Sequence, residues 1–290
     1  MAEIPAAIVK QLRERTGQGM MDCKKALMET DGDMEKAVDL LRKKGLAVME
    51  KRGGRETKEG RVVGQTSDNG KSAVLVMLCS ETDFTSKNED FQEAAQQLAR
   101  SLLQAAEVPD SAEAAGELAV GDGRKVNDVI NEIMSKTGEK IIIGEFVRFD
   151  LTQPGMLKCY VHFNRKVGTI LQIDTESEEA AHHPAVQDLA NDLTMHVTAA
   201  NPIAVTRDEI DSELLAREKE IAAAQVQNKP ANIIDKIVTG KINKWFKQVV
   251  LLEQPFVKDD SKTVRQLMEE VSKQAGGEVA VKQFRRLQIG

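Results

Sequence analysis

Residues 60–78 read GRVVGQTSDNGKSAVLVML, and residues 155–173 read GMLKCYVHFNRKVGTILQI. The two stretches align without a gap at an offset of 95, so that Gly60 falls on Gly155. Each contains two runs with apolar residues around a turn carrying Asn, which predicts a β-hairpin. The helical pattern that follows each stretch also keeps this offset, so the chain is predicted to contain two related units.

A second correspondence, at an offset of 138, places residues 126–146 on residues 264–284. Both pieces predict a helix, a glycine that ends it and a final strand. The difference of 43 between the offsets means that the second unit has gained about that many residues. The charge-rich stretch 206–246, broken at 228–230, is the candidate and predicts an antiparallel helical hairpin.

Ahead of the two units, the sequence predicts a small helical head. Apolar residues recur at helical spacing in three short segments, separated by turns at 16–19 and 30–33, and Gly45 is expected to end the third helix. Residues 42–61 carry eight Lys and Arg against three Glu, together with four glycines. This composition predicts a flexible basic linker.

The predicted fold class is therefore α+β, with a three-helix head, a duplicated core of two subdomains with antiparallel sheets, and an inserted helical hairpin. The expected domains are the head and linker at 1–54, the first core subdomain at 55–150, the second at 151–204 and 248–290, and the hairpin at 205–247.

The composition limits the class of protein. The chain is 41% hydrophobic and 30% charged, which is typical of a folded globular protein, and its net charge of −6 argues against a general nucleic-acid binder. No apolar run approaches the length of about 18 residues that a membrane helix needs. Three widely spaced cysteines predict neither disulfides nor a cysteine metal site. We expect a cytoplasmic protein with no metal, no cofactor, no membrane contact and no direct nucleic-acid binding.

The sequence contains no convincing catalytic pattern. Residues 64–72 come close to a phosphate-binding loop, but five residues instead of four separate Gly64 from Gly70, and the segment lies between two strands. Glu81 and Asp83 could form a pair of carboxylates for acid–base catalysis, yet no nucleophile or partner base accompanies them. We therefore expect that the protein is not an enzyme.

Two aromatic positions are candidate binding residues. Phe84 stands in a polar stretch after a buried strand, where it could either anchor a partner or fold back onto its own core. Tyr160 and His162 alternate on one predicted strand and so share a face. That pair could form a docking patch or a packed, hydrogen-bonded pair, and the residues alone leave both questions open.

Several stretches resemble the bacterial translation elongation factor Ts family. They are LRERTGQGMMDCKKAL (12–27), CSETDFTSKNEDFQ (79–92), MHVTAANP (195–202) and EQPFVKDDSKTV (253–264). The resemblance implies a guanine-nucleotide exchange factor whose partner is the GTPase elongation factor Tu. It also implies that the head is similar to a ubiquitin-associated (UBA) domain and that the hairpin forms a coiled coil.

Within the second stretch, the resemblance implies a role for a Thr-Asp-Phe loop at Thr82, Asp83 and Phe84. In the family this loop is a wedge that enters the partner's GTPase domain close to its Mg²⁺ site. Thr85 follows as a fourth expected contact, in a position where the family commonly has Val. The substitution makes the expected wedge less apolar.

The resemblance implies two further contact regions. In the head, Arg13, Met20 and Met21 are expected to bind the same GTPase domain. In the core, Tyr160 and His162 are expected to bind another domain of the partner. Some family members have an additional C-terminal helix, which we do not expect here because the sequence stops soon after the last predicted strand. Whether the chain forms a homo-oligomer is left open. The alternative function is a helical adaptor that bridges partners without affecting nucleotide.

Overall fold

The computed structural model describes residues 4–51, 54–226 and 231–290. It begins with three packed helices, α1 (Ala6–Thr16), α2 (Met20–Glu29) and α3 (Met34–Lys51). Gly17 ends α1 in the left-handed conformation, with φ of 67°. The three helices enclose a small apolar core that includes Leu12, Cys23 and Leu27. The likeness of this head to UBA domains stays a prediction.

The predicted end of the third helix at Gly45 is wrong. The helix α3 continues to Lys51, so the first half of the expected basic linker is helical. A single glycine in a helix costs only about 1 kcal/mol, and residues 46–51 (LAVMEK) are mostly good helix formers. The glycine is therefore tolerated.

The first core unit is a three-stranded antiparallel sheet in the order β1-β2-β3, with helices on one face. Its elements are β1 (Glu59–Thr66), β2 (Ser72–Ser80), α4 (Asp83–Lys87), α5 (Glu89–Gln104), α6 (Ala112–Gly116), α7 (Val126–Thr137) and β3 (Ile141–Asp150). The predicted turn between β1 and β2 is confirmed, with Gly70 at φ of 70°.

The second core unit repeats this arrangement in the order β4-β5-β8. Its elements and those of the insertion are β4 (Gly155–Val161), β5 (Val167–Thr175), α8 (Glu178–Ala181), α9 (Pro184–Ala200), α10 (Ser212–Ala224), α11 (Ala231–Val249), β6 (Pro255–Phe256), β7 (Asp259–Thr263), α12 (Val264–Ala275) and β8 (Val279–Gln288). The central strands β2 and β5 start 95 residues apart, and α7 and α12 start 138 apart, which confirms both offsets.

Glycines at equivalent positions in the two units meet the same constraint. A Cβ on Gly60 would lie 2.2 Å from the backbone oxygen of Leu78, and a Cβ on Gly155 would lie 2.3 Å from that of Ile173. Side chains are excluded at both places because the neighbouring strand passes too close. The repeat thus extends to backbone packing.

The two sheets pack against each other through a shared apolar cluster. This cluster takes residues from both units, among them Val62 and Leu75 from the first and Leu157 and Ile170 from the second. The strands β2 and β5 are consequently buried on both faces, which explains their long apolar runs. One surface between the units therefore fixes the position of each relative to the other.

The inserted segment forms two packed helices. On the inner side, Ala222 of α10 contacts a cluster with Ile242 and Phe246 of α11. The Lys241 ammonium donates to the Gln225 amide oxygen, so the end of α10 lies near the middle of α11, as in an antiparallel pair. The predicted break at 228–230 lies outside the described residues, and the coiled-coil packing stays a prediction. Across the three described ranges, no helix has the length and apolarity to cross a bilayer.

Candidate functional site

The Thr-Asp-Phe stretch, predicted as a loop, is the start of the short helix α4. Thr82 is its N-cap, because its hydroxyl accepts a hydrogen bond from the backbone N–H of Thr85 at 3.4 Å. Thr85 and Ser86 lie on the inner side of the helix and are buried. Phe84 consequently faces outward, with 82% of its surface exposed.

Thr85 does not share the exposed surface of Phe84. Only 4% of its surface is accessible, because α4 packs this side against β1 and β2. Its expected contact with a partner would require α4 to move. The Thr found here in place of the family's Val therefore affects the packing of α4 on the sheet more than the apolar character of the exposed wedge.

Asp83 is charged and lies beside Phe84. Its carboxylate accepts a hydrogen bond from the Lys87 ammonium at 2.6 Å, across one turn of α4. This bond lowers the pKa of Asp83, and the charge of Lys166 adds a smaller effect in the same direction. The surface of α4 thus offers one exposed aromatic ring flanked by a carboxylate and an ammonium group.

The predicted Tyr160 and His162 are half-exposed and hydrogen-bonded to each other. The Tyr160 hydroxyl lies 2.9 Å from His162 Nδ1, so the hydrogen bond between the two side chains is present, while their role in docking stays a prediction. The sequence reasoning missed Phe163, the next residue. Its ring lies 4.4 Å from that of His162 between centroids and is 85% exposed, at the tip of the β4–β5 turn (residues 162–166).

The β4–β5 turn lies next to α4. Arg61 of β1 connects them, since its Nε donates to the Ser86 carbonyl at 2.7 Å. Burial, and to a smaller extent the positive charge of Arg165, lowers the pKa of Arg61. The Arg165 carbonyl in turn accepts from the N–H of Val62 at 2.7 Å. The two predicted contact regions therefore form neighbouring parts of one surface.

The three predicted head residues, Arg13, Met20 and Met21, are all exposed. The α1–α2 turn that precedes Met20 lies against α7, where a Cβ on Gly17 would come within 2.9 Å of Lys136 Cε. Lys136 also pairs with Asp90, in the first turn of α5, at 3.1 Å. Through these contacts the head approaches the end of the core that carries α4.

Glu81 and Asp83, the two carboxylates of the possible catalytic pair, have different surroundings. Glu81 is bound to Arg55 at 2.7 Å and accepts the backbone N–H of Lys140 at 2.7 Å, whereas Asp83 points to solvent and pairs with Lys87. Among the described residues, no group of three or more His, Cys, Asp and Glu side chains is arranged to hold a metal ion.

The chain is similar to known proteins along its whole length. A family model described as "Elongation factor TS" matches residues 81–290, which include α4 and the β4–β5 turn. "Elongation factor Ts" of Chloroherpeton thalassium is 42% identical over 295 residues, covering 100% of this chain and 99% of the relative. The proteins of that name from Symbiobacterium thermophilum and Desulfovibrio desulfuricans are 42% and 39% identical over 292 residues, again with 100% of this chain covered and with 93% and 99% of the relatives.

Proposed function

The chain belongs to the elongation factor Ts family, and on that basis we propose that it is a guanine-nucleotide exchange factor for the GTPase elongation factor Tu. The observation that carries the mechanism is the exposure of Phe84 on α4, a helix whose opposite side is packed into the core. An aromatic ring held outward by a fixed element is suited to enter a pocket of a partner.

We infer that Phe84 enters the GTPase domain near the Mg²⁺ and phosphate site and displaces the side chains that hold them. Asp83, which is charged at neutral pH, accompanies the ring and can accept hydrogen bonds from the partner. The factor then binds the nucleotide-free partner more tightly than the nucleotide-bound form. By linkage it must weaken nucleotide binding by the same factor. Exchange requires no covalent chemistry.

The energies indicate that Phe84 does not act alone. A thousandfold faster release corresponds to about 4 kcal/mol. Burial of one Phe side chain supplies roughly 1.5–3 kcal/mol. The remainder must come from other contacts. The candidates are the exposed side chains of Met20, Met21 and Phe163 and the half-exposed rings of Tyr160 and His162.

The test is release of a fluorescent GDP from elongation factor Tu in stopped flow, at a series of factor concentrations. We expect Phe84→Ala to lower the maximal release rate at least tenfold, the factor that corresponds to about 1.4 kcal/mol. Thermal unfolding should be unchanged, because the side chain is exposed. Val108→Ala, which trims an exposed apolar side chain in the loop after α5, is the matched control and should behave as wild type.

Two results would contradict the proposal. If the wild-type chain leaves GDP release unchanged while still binding the GTPase, it is an adaptor and not an exchange factor. If Phe84→Ala stimulates release as fast as wild type at every concentration, exchange occurs without the wedge. Met21→Ala and Phe163→Ala separate affinity from rate, since each should raise the concentration for half-maximal stimulation.

A further inference from the structure

Two carboxylates, Glu81 and Glu139, make crossed hydrogen bonds to the opposite strand where the chain passes from the sheet to α4. The ladder between β2 and β3 ends at the pair Ser80 and Ile141. One residue farther out, a Glu81 oxygen accepts the backbone N–H of Lys140 at 2.7 Å. One residue beyond that, Glu139 accepts the backbone N–H of Thr82 at 3.0 Å and the Thr82 hydroxyl at 2.7 Å. Both carboxylates thus extend the pairing of the two strands after the backbone ladder has stopped.

The second core unit shows which of these bonds the fold requires. At the place equivalent to Glu81, Glu176 also accepts a backbone N–H, that of Glu278, at 3.4 Å. At the place equivalent to Thr82, Ser177 also caps a short helix, α8. Even the hydrogen bond from Ser80 Oγ to the Thr82 carbonyl is repeated, from Thr175 Oγ1 to the Ser177 carbonyl.

The bonds made by Glu139 are not repeated. The equivalent residue in the second unit is Gly277, which has no side chain to reach the cap. The sheet, the turn and the short capped helix nevertheless form there, so a carboxylate at this place is dispensable for the fold. What distinguishes the first unit is its exposed surface, since Phe84 occupies the place that Glu179 occupies in α8.

We propose that Glu139 is a positioning residue for nucleotide exchange: by holding both the N–H and the hydroxyl of Thr82, it fixes α4 and with it the direction of Phe84. This proposal rests on the proposed function. Glu139 does not itself touch the partner or its nucleotide, and acts through Thr82.

The geometry gives a physical reason for the hydrogen bond between the Thr82 hydroxyl and Glu139. The Thr82 hydroxyl donates its hydrogen to Glu139, which leaves its lone pairs to accept the Thr85 N–H and cap α4. A helix of five residues is too short to be stable by itself, so α4 depends on this cap and on its packing against β1 and β2. Glu139 is itself fixed, because it follows Gly138, which ends α7 at φ of 68°. The rigid end of α7 is thereby connected to the base of the wedge.

The test is a double-mutant cycle with Glu139→Ala and Phe84→Ala in the GDP-release assay, using the full chain. We expect Glu139→Ala alone to lower the maximal release rate at least tenfold, because it removes two hydrogen bonds between a charged group and Thr82, and the loss of one such bond already corresponds to that factor. The concentration for half-maximal stimulation should change less than twofold. When Phe84 is already Ala, the further change Glu139→Ala should lower the rate less than twofold, because the residue acts through the lost ring.

A conservative and a matched variant complete the experiment. Glu139→Gln retains one amide oxygen as acceptor and should recover part of the rate. Glu113→Ala removes an exposed carboxylate from α6 and should leave the rate as in wild type. Thermal unfolding of each variant reports whether the fold is intact, and we expect Glu139→Ala to melt as a single transition.

Each outcome distinguishes the inference from the function on which it rests. If wild type fails to accelerate release, or if Phe84→Ala has no effect, the proposed function fails. Suppose that wild type and Phe84→Ala behave as expected, but Glu139→Ala lowers the rate by the same factor whether residue 84 is Phe or Ala. Glu139 then acts independently of Phe84, and the inference is overturned. It is also overturned if Glu139→Ala has the wild-type maximal rate.

Discussion

Phe84 and Phe91 are seven residues apart in the sequence, yet the first is exposed and the second is fully buried. The burial of Phe91 could be predicted, because it shares a helical period with Ala95, Leu98 and Leu102 on the inner face of α5. For Phe84 no such period exists, since α4 has only five residues. Its outward direction follows from the packing of Thr85 and Ser86 against the sheet, a three-dimensional contact that a sequence pattern does not contain.

His196 is a buried residue whose role also became clear only in the structure. Its Nδ1 accepts the backbone N–H of Val257 at 3.2 Å, so the proton lies on Nε2, which donates to the Gln254 side-chain oxygen at 2.8 Å. Burial lowers the pKa of His196, although the bond to Gln254 opposes this effect. The folded chain therefore requires the neutral imidazole, which joins α9 to the β6–β7 hairpin.

This requirement predicts a loss of stability in mild acid. The unfolded chain binds a proton at His196 near pH 6.5, while the folded chain resists it to lower pH. The free energy of unfolding should be independent of this group well above pH 6.5. It should then fall by up to about 1.4 kcal/mol per pH unit as the pH decreases below that value.

Urea unfolding from pH 7.5 to pH 5.0 measures this dependence. His196→Gln should be less stable at pH 7.5 and should lose less stability than wild type on acidification. His182→Gln, at an exposed position, serves as the control and should follow the wild-type curve. Equal pH dependence in wild type and His196→Gln would show that this histidine is not responsible.

Among the elements, the duplicated ones were the most predictable. Both offsets hold in the structure because apolar periodicity and glycine stops such as Gly138 and Gly276 are encoded locally. The short helices α4, α6 and α8 were not predicted individually, since caps and tertiary packing define them more than composition does. The predicted end of α3 at Gly45 was wrong, because a single glycine does not stop a helix.

The glycine at the start of β4 leads to a prediction about this repeat. Gly155→Ala would place a Cβ 2.3 Å from the Ile173 carbonyl oxygen, and the central strand β5 cannot retreat because it is paired on both sides. We expect a loss of at least about 2 kcal/mol in the free energy of unfolding. Denaturant unfolding measures the loss.

Gly240→Ala is the matched control for the same substitution. Gly240 lies in α11, where an added Cβ would meet nothing within 4 Å. Because Ala favours the helix, this variant should be more stable than wild type by up to about 1 kcal/mol. A Gly155→Ala protein with wild-type stability would mean that the strands separate easily at this edge.

At the scale of the whole molecule, the apolar run 73–78 indicates a buried strand but not what covers it. In the structure β2 is protected on both faces. Helices account for one face, and the other is closed by the second sheet: a Cβ on Gly168 of β5 would lie 3.2 Å from Leu75 Cδ1. Contacts between residues about 95 positions apart leave no periodic signal, so this arrangement required the structure.

The shared cluster between the sheets predicts that the two core units unfold together. Leu98→Ala removes a fully buried side chain from the first unit, in a cluster that lies away from the shared surface. Its cost should be about 2–5 kcal/mol, as for other buried leucines. If the units are coupled, amide protection against hydrogen exchange should fall by the same free energy in β2 and in β5, although β5 lies in the unmutated unit. Ile221→Ala, on the exposed side of α10, should change neither strand. Loss of protection confined to β2 would instead show that the two units open independently. Phe84 and the β4–β5 turn would then lie on two units that move separately, and they could not act as one binding surface.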